Sequence, residues 1–150
     1  MNKYEFKATN LIAEEFDKVE IKYGVDSFPG ICCVKAGYYI DCGPNVTMLF
    51  ISRDNDNDVA ARIFGLVSSI PENKRDRAMR VCNDLSADNR YFKFYVNDDG
   101  DVNVEYDFPV LLPDEAVGRV AVETFSRAKK WINNEIYGSL MKALYSEENS

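Results

Sequence analysis

Residues 90–108 read RYFKFYVNDDGDVNVEYDF, and the register of the hairpin they encode decides which side chains meet a core. Phe92, Phe94 and Val96 alternate with Tyr91, Lys93 and Tyr95 before the turn. Val102, Val104 and Tyr106 alternate with Asp101, Asn103 and Glu105 after it, the period of half-buried strands. A two-residue Asp99-Gly100 turn sets apolar Phe94 opposite Glu105. A three-residue loop of Asp98, Asp99 and Gly100, with Gly100 in the left-handed region, sets Phe94 opposite Val104. The second register is the expected one. It keeps Phe92, Phe94, Val96, Val102, Val104 and Tyr106 on one face and opposes Lys93 to Glu105 on the other, a pair contributing roughly 0.2–1 kcal/mol.

Upstream, Tyr4, Ala8, Leu11, Ile12, Phe16, Val19 and Tyr23 recur at helical steps and predict an amphipathic helix ending at Gly24. Asn2 with Glu5, or else Thr9 or Asn10, starts it. Ser27 to Gly30 breaks the pattern. Strands are expected over Ile31–Cys42, Val46–Arg53 and Asp58 to about Ser68, with Gly43-Pro44-Asn45 as a turn. Ser69 with Glu72 forms a capping-box pattern around Pro71 and predicts a helix to about Leu85.

Beyond the hairpin, Pro109 and Pro113 end the strand and Asp114-Glu115 open a helix whose dipole favours them. Its apolar positions are Val117, Ala121, Phe125, Ala128, Ile132, Ile136, Leu140 and Leu144. Unbroken, it is about 45 Å long, more than the diameter of about 38 Å for a domain of this size. The chain must break near Asn133-Asn134 or Gly138, or project onto a partner.

One domain of 150 residues, with 46% hydrophobic and 13% aromatic residues, suffices for a core. A formal charge of −7 argues against nucleic-acid and anionic-membrane partners. Met1 is followed by NKYEFKATN rather than an apolar leader, and no stretch approaches the roughly 20 apolar residues of a span. A cytoplasmic protein is expected, with Cys32, Cys33, Cys42 and Cys82 as reduced thiols. The sequence has no histidine, so Ser-His and Cys-His nucleophile pairs and imidazole metal ligands are excluded.

The remaining constellations are weak. Asp54-x-Asp56-x-Asp58 opens like a calcium loop but continues with Val59 where Gly is needed and Gly65 where Glu is needed. Asp98, Asp99 and Asp101 read as a solvated turn. Arg90–Val96 interleaves basic and aromatic residues like an RNA-stacking strand but faces Asp101, Asn103 and Glu105. Lys74, Arg75, Arg77 and Arg80 form a basic helix face, solvated or turned to an acidic partner. No glycine-rich phosphate loop precedes a helix. No catalytic, cofactor or metal residue is therefore assigned.

The segment VCNDLSADNRYFKFYVNDDGDVNVEYDFPV, with the turn and acidic-start helix after it, resembles the YbjN family, described as bacterial sensory-transduction regulators. The likeness is strongest over roughly residues 78–125. It departs from the family's Asn-x-Leu-Asn pattern, since Asn83-Asp84-Leu85 is followed by Ser86. The resemblance implies a fold similar to type III secretion chaperones and transfers no catalytic motif. The expected architecture is thus α+β in the order α-β-β-β-α-β-β-α, an antiparallel sheet with helices mainly on one face. The expected function is a non-enzymatic adaptor or chaperone-like module for a protein or peptide. An enzyme or small-ligand sensor with a carboxylate and tyrosine cleft is the alternative. Trp131, Ile132, Ile136, Leu140 and Leu144 are the candidate partner-binding surface, used in homodimerisation or partner capture.

Overall fold

The computed structural model describes residues 3–41, 43–53, 57–111 and 113–146. In chain order the elements are α1 (Lys7–Lys18), β1 (Gly24–Phe28), β2 (Ile31–Tyr39), β3 (Asn45–Arg53), β4 (Asp58–Val67), α2 (Glu72–Asp88), β5 (Lys93–Val96), β6 (Val102–Pro109), α3 (Asp114–Trp131), a π-helical turn (Ile132–Ile136) and α4 (Tyr137–Tyr145). The strands form one antiparallel sheet in the order β1-β2-β3-β4-β6-β5. The architecture is α+β, with one strand more than the sequence predicts.

The hairpin takes the expected register: Lys93 opposes Glu105, Phe94 opposes Val104 and Val96 opposes Val102. Asn97 N–H donates to Asp101 O (2.9 Å), leaving a three-residue loop with Gly100 at φ +81. The expected Lys93–Glu105 ion pair does not form, because Glu105 turns to Arg62 of β4 at 3.6 Å. Asp98 and Asp99 are exposed at the loop tip, while the loop's main chain is clamped. Arg75 donates to the carbonyls of Ile70 (3.1 Å), Asp98 (3.1 Å) and Asp99 (3.4 Å), while Asp101 accepts the Ser69 N–H at 2.8 Å. The Ser69 capping box is also corrected. Ser69 sits at φ +55, Pro71 is the N-cap, and no side chain caps α2.

The extra strand and the shortened first helix share a cause. α1 stops at Lys18 because Glu20, not Gly24, takes the left-handed position at φ +61. Ile21 N–H bonds Phe16 O (2.9 Å) and Glu20 N–H bonds Asp17 O (3.2 Å), the paired bonds of a Schellman stop. Gly24 to Phe28 is then available for β1, and Pro29-Gly30, with Gly30 at φ +80, joins it to β2 in a two-residue turn. At the other end of α1, Asn10 is a buried anchor rather than a cap. Its amide accepts from Lys3 and Tyr4 N–H and donates to Tyr4 and Phe6 carbonyls, all at 2.9 Å.

One parity of the sheet carries the core. Val34, Ala36, Tyr38, Met48, Phe50, Val59, Ala61, Ile63, Val104 and Phe94 are all under 6% exposed. Phe16 of α1 meets Phe50 edge-on at 5.7 Å, and Phe125 of α3 meets Tyr38 at 5.7 Å. α1 and α3 cross closely at Gly118, where a Cβ would lie 2.6 Å from Glu15 Cβ. α2 lies along the outer edge of β5. There Ser86 Oγ accepts the Phe94 N–H (2.9 Å) and donates to the Phe94 carbonyl (3.2 Å). Ser86 therefore seals a sheet edge.

The two turn glycines give matched experiments. Gly30 and Gly100 share nearly the same positive φ, but a Cβ at Gly30 meets nothing within 4 Å, whereas at Gly100 it lies 2.7 Å from Ile70 O and 2.8 Å from Arg75 Nε. Gly30→Ala is expected to cost about 1 kcal/mol from backbone strain alone. Gly100→Ala is expected to cost about 2 kcal/mol or more, since it adds a clash and loosens the Arg75 clamp. Urea unfolding of both variants checks this, and equal losses would contradict the clamp.

Candidate functional site

The parity that does not face the helices forms a sheet surface with no helix of the described residues over it. Across the strands it presents Phe28 beside Ile31, Cys33 beside Ile51, Lys35 beside Leu49, Ala60 beside Asp107, and Arg62 beside Glu105. Ile31, Cys33, Leu49, Ile51 and Ala60 are half-buried by their neighbours. Phe28, Tyr39, Phe64 and Tyr95 stand out from it at 61%, 77%, 55% and 38% exposure. These four are half of the large apolar side chains exposed among the described residues, and all four lie on this one face.

The charges on this surface balance. Four basic residues (Lys35, Arg53, Arg62, Lys93) share it with four acidic ones (Asp26, Asp58, Glu105, Asp107). Lys35 pairs with Asp26 at 2.8 Å, and Arg62 contacts Glu105 at 3.6 Å and Asp107 at 2.5 Å. On a chain of formal charge −7, this is a neutral area that another acidic protein can approach without repulsion. Six strands about 4.8 Å apart and four to ten residues long give on the order of 700 Å², close to the roughly 800 Å² each partner gives to a standard interface. Burial, with Asp26 next, pushes the Cys33 thiol on this face up to about 11.

A cleft of about 440 Å³ adjoins this face where β6 outruns β5. The Asn89 carboxamide accepts the N–H groups of Tyr91 (2.8 Å) and Phe92 (2.9 Å), bending the chain out of the sheet. Pairing with β6 therefore begins only at Lys93, opposite Glu105. Tyr91 stacks on Tyr106 at 4.3 Å, Arg127 lies over the Tyr91 ring at 4.6 Å, and Trp131 meets Phe92 edge-on at 6.0 Å. Burial raises the Tyr106 hydroxyl, as does the neighbouring Tyr91, while Arg127 opposes them. Arg90, Lys93, Glu105 and Asp107 line the cleft with both signs of charge.

The surface expected from the C-terminal helix is corrected. Ile132, Ile136, Leu140 and Leu144 are at most 4% exposed inside the chain's own core, and Trp131 is half-buried in the aromatic cluster. They are thus not available to a partner. Apolar residues at strict steps of four drift around an α-helix by about 40° per step, which would carry Leu140 and Leu144 away from the sheet. The π turn across Asn133-Asn134 under-winds the helix and returns them. Asn133 Oδ1 also accepts the Asp41 N–H at 2.8 Å, tying the turn to the end of β2.

The basic cluster is mostly structural too. Lys74 Nζ donates to Leu144 O (2.7 Å) and Arg77 to Ala143 O (3.4 Å), so α2 caps the last carbonyls of α4, while Arg75 holds the hairpin loop. Asp54 and Asp56 lie outside the described residues. The sequence predicts a sheet with helices mainly on one face but does not single out the other face as a binding surface, although its signal is present. β2 and β3 carry apolar residues on both parities, with Ile31, Cys33, Leu49 and Ile51 on the second.

A protein-family model described as "YbjN: Putative bacterial sensory transduction regulator" matches residues 39–129. No curated protein matches the chain.

The buried acids predict an alkaline limit. Burial pushes Cys33 and Cys82 up to about 11 from 9.0, and burial with the Asp17 hydrogen bond pushes Tyr23 up to about 12. Each group keeps its proton longer folded than unfolded. Its stabilisation is therefore complete below pH 9 and lost as pH rises through the folded values. Urea unfolding is expected to show stability falling steadily from pH 9 to 11. A flat profile over that window would contradict the burial of these groups.

Proposed function

The chain belongs to the YbjN family, and from that premise we propose that it is a non-enzymatic regulatory adaptor that binds a protein partner through the uncovered face of its sheet. The observation that carries this reading is that half of the large apolar side chains exposed among the described residues share one charge-balanced face of interface size. Aromatic residues are the ones that interfaces favour as anchors, and Phe28, Tyr39, Phe64 and Tyr95 come from four different strands. A family described as sensory transduction regulators fits a module that relays a signal by docking. Site of action in the cytoplasm belongs to the same proposal. It is supported by free thiols at Cys32, Cys33 and Cys82. No helix of the described residues is long and apolar enough to cross a membrane.

A second reading has its own support in the cleft beside β5. Two stacked tyrosines with Arg90, Lys93, Glu105 and Asp107 around about 440 Å³ suit a small zwitterionic ligand. In that case the protein senses a metabolite. A ligand of the native state raises the melting temperature, so a thermal-shift screen of cytoplasmic metabolites separates the two readings.

Ile51→Glu tests the leading proposal. Ile51 is half-buried on the uncovered face, so the substitution should leave folding nearly intact, within about 1 kcal/mol. Affinity capture from the native cytoplasm is expected to recover a partner with the parent chain and to lose it with Ile51→Glu. Met79→Glu on exposed α2 is the control that retains it. Equal recovery by parent and Ile51→Glu would overturn the proposal.

A further inference from the structure

The two edges of the sheet are treated differently. At β5 the outward N–H and C=O of Phe94 are both bonded by Ser86. At β1 the outward groups belong to Val25 and Ser27. Ile40 N–H bonds Pro44 O across the β2–β3 turn, so even-numbered residues of β2 face β3. Ile31, Cys33 and Lys35 then face β1 and pair with Phe28, Asp26 and Gly24. Among the described residues none bonds the main chain of Val25 or Ser27, and β1 is exposed apart from half-buried Val25. Edge strands are blunted by proline, bulges, a covering element, short length or charged side chains; among the described residues β1 has no proline, bulge or covering element, and its five residues carry one charge, Asp26.

We propose that the outer edge of β1 is a strand-addition site for an extended segment of a partner protein, carrying a basic residue opposite Asp26 and an apolar residue beside Phe28. This rests on the reading that the adjoining sheet face binds a protein partner. Asp26, the one charged residue of β1, pairs with Lys35 through Oδ2 at 2.8 Å and keeps its side chain 48% exposed to a second base, and Phe28 beside it is 61% exposed on the uncovered face. An added strand would cover Phe28 and extend that face by one row. A second copy of this chain fits poorly. Antiparallel pairing of two β1 edges through Val25 and Ser27 sets Asp26 directly against its twin, and like charges so placed are destabilising.

The test uses blocked seven-residue peptides of alternating threonine and valine with lysine, alanine or glutamate at the centre, titrated into the full chain and followed by amide NMR. Shifts confined to Gly24–Phe28 are expected, with lysine-centred peptides binding about two- to fivefold tighter than glutamate-centred ones. Asp26→Lys should reverse that preference without touching the backbone. Ser27→Pro removes an outward N–H that β2 does not use and should abolish the shifts. Ile51→Glu should leave peptide binding unchanged, which separates this site from the face reading. No shift at Gly24–Phe28 up to millimolar peptide, or a charge preference that survives Asp26→Lys, would overturn the proposal.

Discussion

Successive residues of a strand point to opposite faces, so the choice of which parity meets the helices fixes the role of every side chain in the sheet. In this chain the choice propagates from the hairpin. Phe94 opposite Val104 sets β6, Val104 opposite Ile63 sets β4, and Ala61 opposite Phe50 sets β3. A slip of one residue at Gly100 would bring Glu105, Arg62 and Leu49 under the helices and expel Val104, Ile63 and Phe50. Helices supply one covering layer, on the face where Phe16 and Phe125 pack. The other face is left with a neutral charge pattern and unshielded aromatic rings, and the same parity rule that builds the core makes that surface.

Polar side chains then hold the parity in place at the points where the backbone changes direction. Arg75 grips the loop, Ser86 seals the β5 edge, Asn89 bends the chain into β5, and Asn103 accepts the Gly65 N–H at 2.9 Å where β4 shifts register against β6. Each satisfies main-chain groups that would otherwise be unpaired where the ladder stops, and a buried group left so costs roughly 1–3 kcal/mol. Lys74 and Arg77 do the same for the end of α4. Residues that read as a charge cluster in sequence are therefore components of the frame.

What was legible in the sequence follows from this division. The hairpin register could be read because only one pairing keeps Phe94 away from Glu105 and brings a glycine to the positive-φ position. β1 could not, because the five residues GVDSF form an edge with no alternating apolar pattern. The true stop of α1 was hidden because a glutamate, with a Cβ, occupies the left-handed position usually given to glycine. The C-terminal stripe was seen, but its destination was not. Its strict four-residue spacing looked like an uncovered seam when in fact a π turn re-aims it into the core. An uncovered face was expected, but it was not singled out as the candidate site, because half-buried apolar residues on both parities of β2 and β3 give no alternation that marks the open side as a binding surface.

The proposed function rests on the open face: among the described residues helices cover one side of the sheet, and the other is the surface proposed for docking. A photo-crosslinking residue installed in living cells at position 49, on the uncovered face, compared with one at position 79, exposed on α2, tests this most directly. The account predicts discrete protein adducts from position 49 and none above background from position 79. Adducts from position 79 alone, or equally from both, would contradict it.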